Sequence, residues 1–281
     1  MSRSSNHAIP NRMNLRPLLL LPLLGACAGR PQPSTAVTGQ PGGIATDAHA
    51  PGFARHPPEA FSRQNTIAIA LREWRAFGMN VNDDPPEQQN RPRDQRPDHQ
   101  PGMWQRVGEY WWLGQNAGTN EEDWTSKYNE YGTPYAGDAP AWSAAFISYI
   151  MRSAGAADRF TYSPLHADYI NAAARGEGVL RVERPDSYPP QPGDLICVGR
   201  GPSRNIRFES LPAPSFYGHC DLVTEAAPGQ LVVIGGNVDA SVTMKHVPTG
   251  PTGLLAEPGG QTYDPRYPWF VVVRVLYDGT V

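Results

Sequence analysis

The sequence lacks the usual marks of a protein that binds nucleic acid, holds a metal or crosses a membrane. Its formal net charge is −3 and its acidic and basic residues are interspersed, which excludes a basic field for nucleic acid. Its 3 cysteines and 7 histidines show no recognisable metal-ligand spacing, so neither a metal nor another cofactor is expected. Its longest apolar run, of about ten residues, is too short to span a bilayer.

That apolar run is typical of the core of a signal peptide. It covers PLLLLPLLGAC at residues 17–27 and follows two basic residues, Arg12 and Arg16. Its last four residues, Leu-Gly-Ala-Cys, resemble the bacterial lipobox, in which the cysteine thiol is lipidated and becomes the new N-terminus. We therefore predict a lipoprotein signal peptide over residues 1–27, with Cys27 as the lipidated residue. An ordinary cleaved signal peptide with an incidental cysteine is the alternative.

A lipidated cysteine implies a location as well as a modification. The attached acyl chains would hold the protein to a membrane surface without a spanning helix, in the oxidising periplasm. Ala28 follows the cysteine in place of an acidic residue, and by resemblance to sorted lipoproteins this favours the outer membrane. Met13 is an alternative start to Met1.

The rest of the chain divides into a tether and one domain. Residues 28–58 are rich in Pro, Gly, Ser and Thr and have little apolar content, so we predict a disordered tether. Residues 59–281 are expected to form a single domain. Helical periodicity marks its first half, in SRQNTIAIALREWRAFG, GMWQRVGEYWWLG, AWSAAFISYIMRSAG and SPLHADYINAAARG.

Val- and Ile-rich segments mark the second half of the domain as strands: DLICVG, GHCDLVTEA, QLVVIGGNV, ASVTMKHV and PWFVVVRVLY. Helices followed by consecutive strands predict an α+β fold with an antiparallel sheet of about five strands. The third helix is apolar on nearly every side, so we expect it to be buried across that sheet.

The third helix carries one hydroxyl group in its first turn, that of Ser143. Asp138 is expected to cap this helix, with Pro140 in its first turn and Gly155 at its end. Unpaired amides and the helix dipole would stabilise negative charge on a nucleophile at Ser143. The alternative is a small buried residue whose hydroxyl bonds to the backbone.

Three passages, in this order, resemble the papain-like amidases and endopeptidases of the NlpC and CHAP type, which act on bacterial cell walls. AWSAAFISYIMRSAG is similar to that group's aromatic-Cys-Ala-Ala-Phe helix, PGDLICV to its Pro-Gly-Asp strand, and GHCDLVTEAAPGQLVVIGGNVDASVTM to its histidine hairpin. With ALREWRAFG and WQRVGEYWW included, residues 60–280 resemble the bacterial family of domain of unknown function 2272. The resemblance implies a papain-like fold.

The same resemblance implies catalytic roles. Ser143 stands where the NlpC and CHAP enzymes have their cysteine nucleophile, His219 would exchange the proton, and Asn237 would orient the imidazole. Asp221 lies two residues beyond His219, on the same strand face, and can add the carboxylate that a serine nucleophile needs. The alternatives are a hydrogen-bonded strand histidine for His219 and a turn residue for Asn237.

Three further side chains are candidates for contact with a polar substrate, namely Trp112, Trp142 and His166. For His166, a position on the helix surface is the alternative. Cys197 and Cys220 lie on consecutive strands, and a cross-strand disulfide is the simplest hypothesis in an oxidising compartment. Alternation places Cys220 on the strand face opposite His219, which disfavours Cys220 as a nucleophile.

Two functions of different classes remain. The first is a lipoprotein hydrolase that cleaves an amide bond in the peptide part of peptidoglycan. The second is a lipoprotein that binds a peptide or glycan in the same groove, as a scaffold without covalent chemistry. The hydrolase is favoured because His219 and Asn237 keep the positions that the resemblance requires.

Overall fold

The computed structural model describes residues 60–89, 91–92, 95–114 and 141–279. The predicted signal peptide, its Cys27 and the predicted tether lie outside the described residues, as do Asp138 and Pro140. Contacts divide the chain into two units, residues 1–40 and residues 41–281, and every described residue belongs to the second. No helix within the described ranges is long and apolar enough to cross a membrane.

Four α-helices lie in the described part of the chain, all before the strands. They are α1 (Arg63–Ala76), α2 (Met103–Gly114), α3 (Ser143–Ser153) and α4 (His166–Ala174). All four match predicted helices. The start of α3 differs from the prediction, because Trp142 is its N-cap residue, with φ −97° and ψ 9°, and Ser143 is its first residue. The end agrees, since Gly155 follows the helix with φ +94°.

The strands form one six-stranded antiparallel sheet in the order β1-β6-β2-β3-β4-β5. They are β1 (Leu180–Glu183), β2 (Leu195–Gly199), β3 (Gly218–Ala227), β4 (Gln230–Val238), β5 (Ser241–Pro248) and β6 (Trp269–Val275). The structure confirms the α+β class, but the expected count of five strands was one too few. The missed strand is β1, an edge strand that pairs with β6. It has only four residues and alternates apolar with charged side chains, so it gives a weak sequence signal.

The helices and the sheet build two apolar layers. On one face, α3 packs against α2, β3 and β4, and nine consecutive residues from Ser143 to Met151 are buried. On the other face, Leu255 and Tyr267, from the segment between β5 and β6, pack with strand residues such as Val233. The prediction of a buried third helix is therefore confirmed.

A buried carboxylate fixes α3 against α1 and α2. Glu73 of α1 accepts hydrogen bonds from Arg106 Nε at 2.5 Å and from the hydroxyls of Tyr110 at 2.6 Å and Tyr149 at 3.3 Å. A buried charge needs such partners to offset its lost hydration. These bonds join three helices, and they hold the helix that carries Ser143.

A disulfide joins the middle of the sheet, as expected from the cysteine positions. Cys197 of β2 pairs directly with Cys220 of β3, and their sulfurs are 2.10 Å apart. Both side chains belong to the apolar layer on the helix side of the sheet. Cys220 is therefore a structural residue.

We expect loss of this disulfide to destabilise the protein by about 3 kcal/mol, the entropic stabilisation expected for a loop of this length. The two cysteines are 23 residues apart. The variant Cys197→Ala/Cys220→Ala should unfold at a lower urea concentration than the oxidised protein, with little difference between reducing and oxidising buffer. Equal unfolding midpoints for the double variant and the oxidised protein would contradict the expectation.

Candidate functional site

A cavity of about 450 Å³ opens at the end of the sheet where β3 begins and β4 ends. Three predicted catalytic residues line it: Ser143, His219 and Asn237. Arg91, Arg96, Arg200 and Asp239 line it as well, so the cavity is polar and charged. Among the described residues, no group of three or more His, Cys, Asp or Glu side chains is arranged to hold a metal ion.

The hydrogen-bond partner of Ser143 is His166. Ser143 Oγ lies 2.7 Å from His166 Nε2, and both residues are buried. The prediction had assigned this contact to His219 and had placed His166 at the substrate or on the helix surface. The structure corrects the pairing and the surface position, because Ser143 and His166 are each the first residue of a helix and these two helix starts are joined by the hydrogen bond. Substrate contact by His166 stays a prediction.

Tyr169, one turn along α4, holds the other side of the His166 ring. Its hydroxyl contacts His166 Nδ1, and the tyrosine is fully buried. We assign the tautomer in which the Tyr169 hydroxyl, which has no other hydrogen-bond partner in the described part of the chain, donates its proton to Nδ1. Nε2 then carries the ring proton and donates to Ser143 Oγ. Burial and the neighbouring His219 hold the pKa of His166 well below its usual value, so the ring is neutral at pH 7.

His219 is held by a second, separate set of groups. Its Nε2 lies 2.9 Å from Asp221 Oδ1, and Lys245 Nζ of β5 lies 2.5 Å from Asp221 Oδ2. Because a carboxylate only accepts hydrogen bonds, a neutral His219 donates from Nε2 and keeps its lone pair on Nδ1. The rings of His166 and His219 lie 5.5 Å apart between centroids, and His219 lines the same cavity as Ser143.

Burial and the neighbouring charges together determine the charge states of His219 and Asp221. Burial lowers the pKa of His219 to about 4, although Asp221 acts in the opposite direction, so His219 is neutral at pH 7. Burial alone would raise the pKa of Asp221. Lys245 and His219 outweigh it and hold that pKa well below its usual range. Asp221 is therefore a carboxylate next to a neutral imidazole, which is the state that a general base requires.

The two glycines of β4 make room for this arrangement. A Cβ atom on Gly235 would lie 1.9 Å from Asp221 Oδ1, and one on Gly236 would lie 2.6 Å from Phe146 Cβ. Asn237 follows with φ +56°, a left-handed conformation that asparagine tolerates. It lines the cavity, but within the described residues no hydrogen bond joins it to His219. The structure therefore places Asp221, and not Asn237, in hydrogen-bond contact with His219.

Of the two tryptophans predicted to bind substrate, the structure describes the side chain of Trp142 but not that of Trp112. Trp142 is buried in the core, where its indole Nε1 donates to Asp98 Oδ2 at 3.0 Å and its ring packs on Phe77 and Phe146. It positions the start of α3, and the prediction of substrate contact is corrected. The side chain of Trp112 lies outside the described residues.

Sequence reasoning missed Tyr169, Lys245 and Arg200. The spacing of Tyr169 from His166, three residues along one helix, is a signal that could have paired them. Alternation in β5 predicts the sheet face on which Lys245 lies, but it does not identify Asp221 as its ion-pair partner. Arg200 lies in the loop after β2, which has no periodicity to interpret.

The family comparison covers most of this structure. A family model described as "Uncharacterized protein conserved in bacteria (DUF2272)" matches residues 98–275. The chain belongs to this family. The DUF2272 match runs from just before α2 to the end of β6. It includes both sets of residues around the histidines: Ser143, His166 and Tyr169 in one, and His219, Asp221 and Lys245 in the other. The predicted resemblance to this family is therefore confirmed, whereas the likeness to the NlpC and CHAP enzymes stays a prediction. No curated protein and no solved structure matches the chain.

Proposed function

We propose that this protein is a serine hydrolase of papain-like architecture that cleaves an amide bond in the peptide part of peptidoglycan. One observation carries the proposal. The Ser143 hydroxyl lies at the start of a helix, hydrogen-bonded to the buried His166, in an open cavity that is also lined by His219, whose imidazole is held by the carboxylate of Asp221. Nucleophile, base and orienting group are the three parts of a serine-dependent acyl transfer.

The reaction proceeds in two halves. As Ser143 Oγ attacks the amide carbonyl carbon, His219 Nδ1 takes the hydroxyl proton, and Asp221 stabilises the imidazolium that forms. The tetrahedral intermediate then collapses, His219 gives the proton to the leaving amine, and an acyl-enzyme ester remains on Ser143. Water, activated by His219 in the same way, hydrolyses that ester and restores the serine.

Serine is a weak nucleophile, and His166 and the start of α3 would both assist its attack. A hydroxyl ionises far less readily than a cysteine thiol, so a helix terminus alone activates it little. The His166 Nε2 proton points at Ser143 Oγ and would stabilise negative charge that develops there. The amides of the first turn of α3 have no acceptor within the helix and can bind the oxyanion of the intermediate.

We also propose that the protein is a periplasmic lipoprotein, anchored through Cys27 and facing peptidoglycan from the outer membrane. The N-terminal sequence motivates this placement. The Cys197–Cys220 disulfide supports it, because disulfides persist in oxidising compartments.

The second candidate is a module that binds peptidoglycan peptides in this cavity without cleaving them. One observation favours it. Ser143 makes its hydrogen bond with His166, and no hydrogen bond joins Ser143 to His219 within the described residues.

The purified protein is expected to release soluble fragments from purified sacculi, as identified by mass spectrometry. Ser143→Ala should lower the rate of release by roughly 10³-fold or more, because it removes the nucleophile. Ser153→Ala is the matched control, an exposed serine at the other end of α3, and should act like the unmodified protein. Equal release by the Ser143→Ala variant would reject the site. Binding of sacculi without release by any variant would favour the binding module.

A further inference from the structure

A second cavity, of about 270 Å³, adjoins the cavity of Ser143. Pro86 and Arg200 line both, so Arg200 stands at the junction between them. Its position is fixed by the sheet, because Arg200 directly follows β2 and its backbone N–H donates to Tyr217 O at 2.8 Å. A substrate bound at Ser143 can therefore extend past the Arg200 guanidinium.

Within the described residues Arg200 has no carboxylate partner, and in this it differs from Arg91, Arg96 and Arg266, which also line the cavities. Three ion pairs neutralise the others: Arg91 with Asp239 at 2.9 Å, Arg96 with Asp98 at 3.3 Å, and Arg266 with Asp264 at 2.9 Å. In the part of the chain that the structure describes, the Arg200 side chain makes neither an ion pair nor a hydrogen bond. Its guanidinium carbon lies 5.9 Å from the centre of the Tyr267 ring.

Arg200 lines the same cavity as His219. After burial, which is the largest cause, its charge is one of the smaller causes that lower the pKa of His166 and His219. A half-buried guanidinium presents a planar fork of N–H donors, whose geometry matches a carboxylate through two parallel hydrogen bonds.

We propose that Arg200 binds a carboxylate of the substrate, so that the preferred substrate has a free carboxylate near the scissile amide. The specificity for a substrate rests on the proposed hydrolase function. The binding of an anion at Arg200 does not, since it can occur whether or not Ser143 reacts. It makes Arg200 a residue that determines specificity. Substrates whose carboxylate has been converted to an amide should be poor ones.

Binding and turnover are tested separately. Acetyl-alanine and acetyl-alanine amide, which differ only in the carboxylate, are titrated into the Ser143→Ala protein and followed by ligand-observed NMR. The acid should bind about tenfold more tightly than the amide, as expected for one charge-assisted bidentate contact. Adding Arg200→Met should remove that preference. Arg175→Met is the matched control, because Arg175 is an exposed arginine paired with Glu177 away from both cavities, and it should keep the preference.

In turnover of muropeptides released from sacculi, Arg200→Met should raise KM about tenfold and change kcat little, and Arg200→Lys should restore part of the loss. The proposal is overturned if the acid fails to bind better than the amide, or if the preference survives in the Arg200→Met variant. Loss of the preference together with inactive unmodified protein would support the anion site and reject the hydrolase. A Ser143-dependent hydrolase whose preference survives in Arg200→Met would reject the anion site alone.

Discussion

Lys245→Met is expected to lower the free energy of unfolding by about 3–5 kcal/mol, because it strands a buried carboxylate. Lys245 Nζ lies 2.5 Å from Asp221 Oδ2, and both side chains are fully buried. Methionine fills nearly the same volume, so the loss reflects the missing charge more than a cavity. Urea denaturation at pH 7 measures it.

A double variant separates the charge from the packing. Lys245→Met/Asp221→Asn removes both charges at once, so most of the lost stability should return. Activity should not return, because an amide at position 221 supports the imidazolium of His219 less well than a carboxylate does. Arg175→Met, which breaks the exposed pair with Glu177, should change stability little. A Lys245→Met variant as stable as the unmodified protein would show that Asp221 does not depend on Lys245.

The secondary structure was predictable wherever the periodicity was strong over many residues. Helices α1 to α4 and strands β2 to β6 fall where apolar spacing placed them. The start of α3 was predicted too early for a reason that no local pattern contains. Trp142, the N-cap residue, donates its indole N–H to Asp98, 44 residues earlier in the chain, and such a tertiary contact is absent from any local pattern.

The site was partly predictable for the same reason. Period-two alternation placed His219 and Asp221 on one strand face, and the structure joins them directly. The resemblance to papain-like enzymes instead pointed to Asn237 as the orienting residue, although a turn conformation was the alternative there. The contact of Ser143 with His166 depends on where two helix starts meet in space, which neither alternation nor motif order determines.

The two histidines should respond differently to the same substitution. Glutamine in place of His166 still offers an N–H donor to Ser143 Oγ, so His166→Gln should retain most of the kcat/KM that His166→Ala loses. Glutamine cannot accept and return a proton, so His219→Gln should be as poor as His219→Ala, with kcat/KM lowered by about 10²–10⁴-fold. The measurement is fragment release from sacculi. If glutamine rescues position 219 and not position 166, the roles of the two rings are exchanged.

The pH profile gives an independent test of the same assignment. Because burial lowers the pKa of His219 to about 4, the neutral, proton-accepting form persists down to that pH. The kcat/KM should therefore rise with pH around pH 4 and stay level through pH 7, whereas a base with the ordinary imidazole pKa would rise near pH 6.5. His166→Gln should keep the acid limb in place, since His166 only donates. An acid limb near pH 6.5 would contradict His219 as the base, because its buried, Asp221-bound ring is protonated only in far more acidic solution.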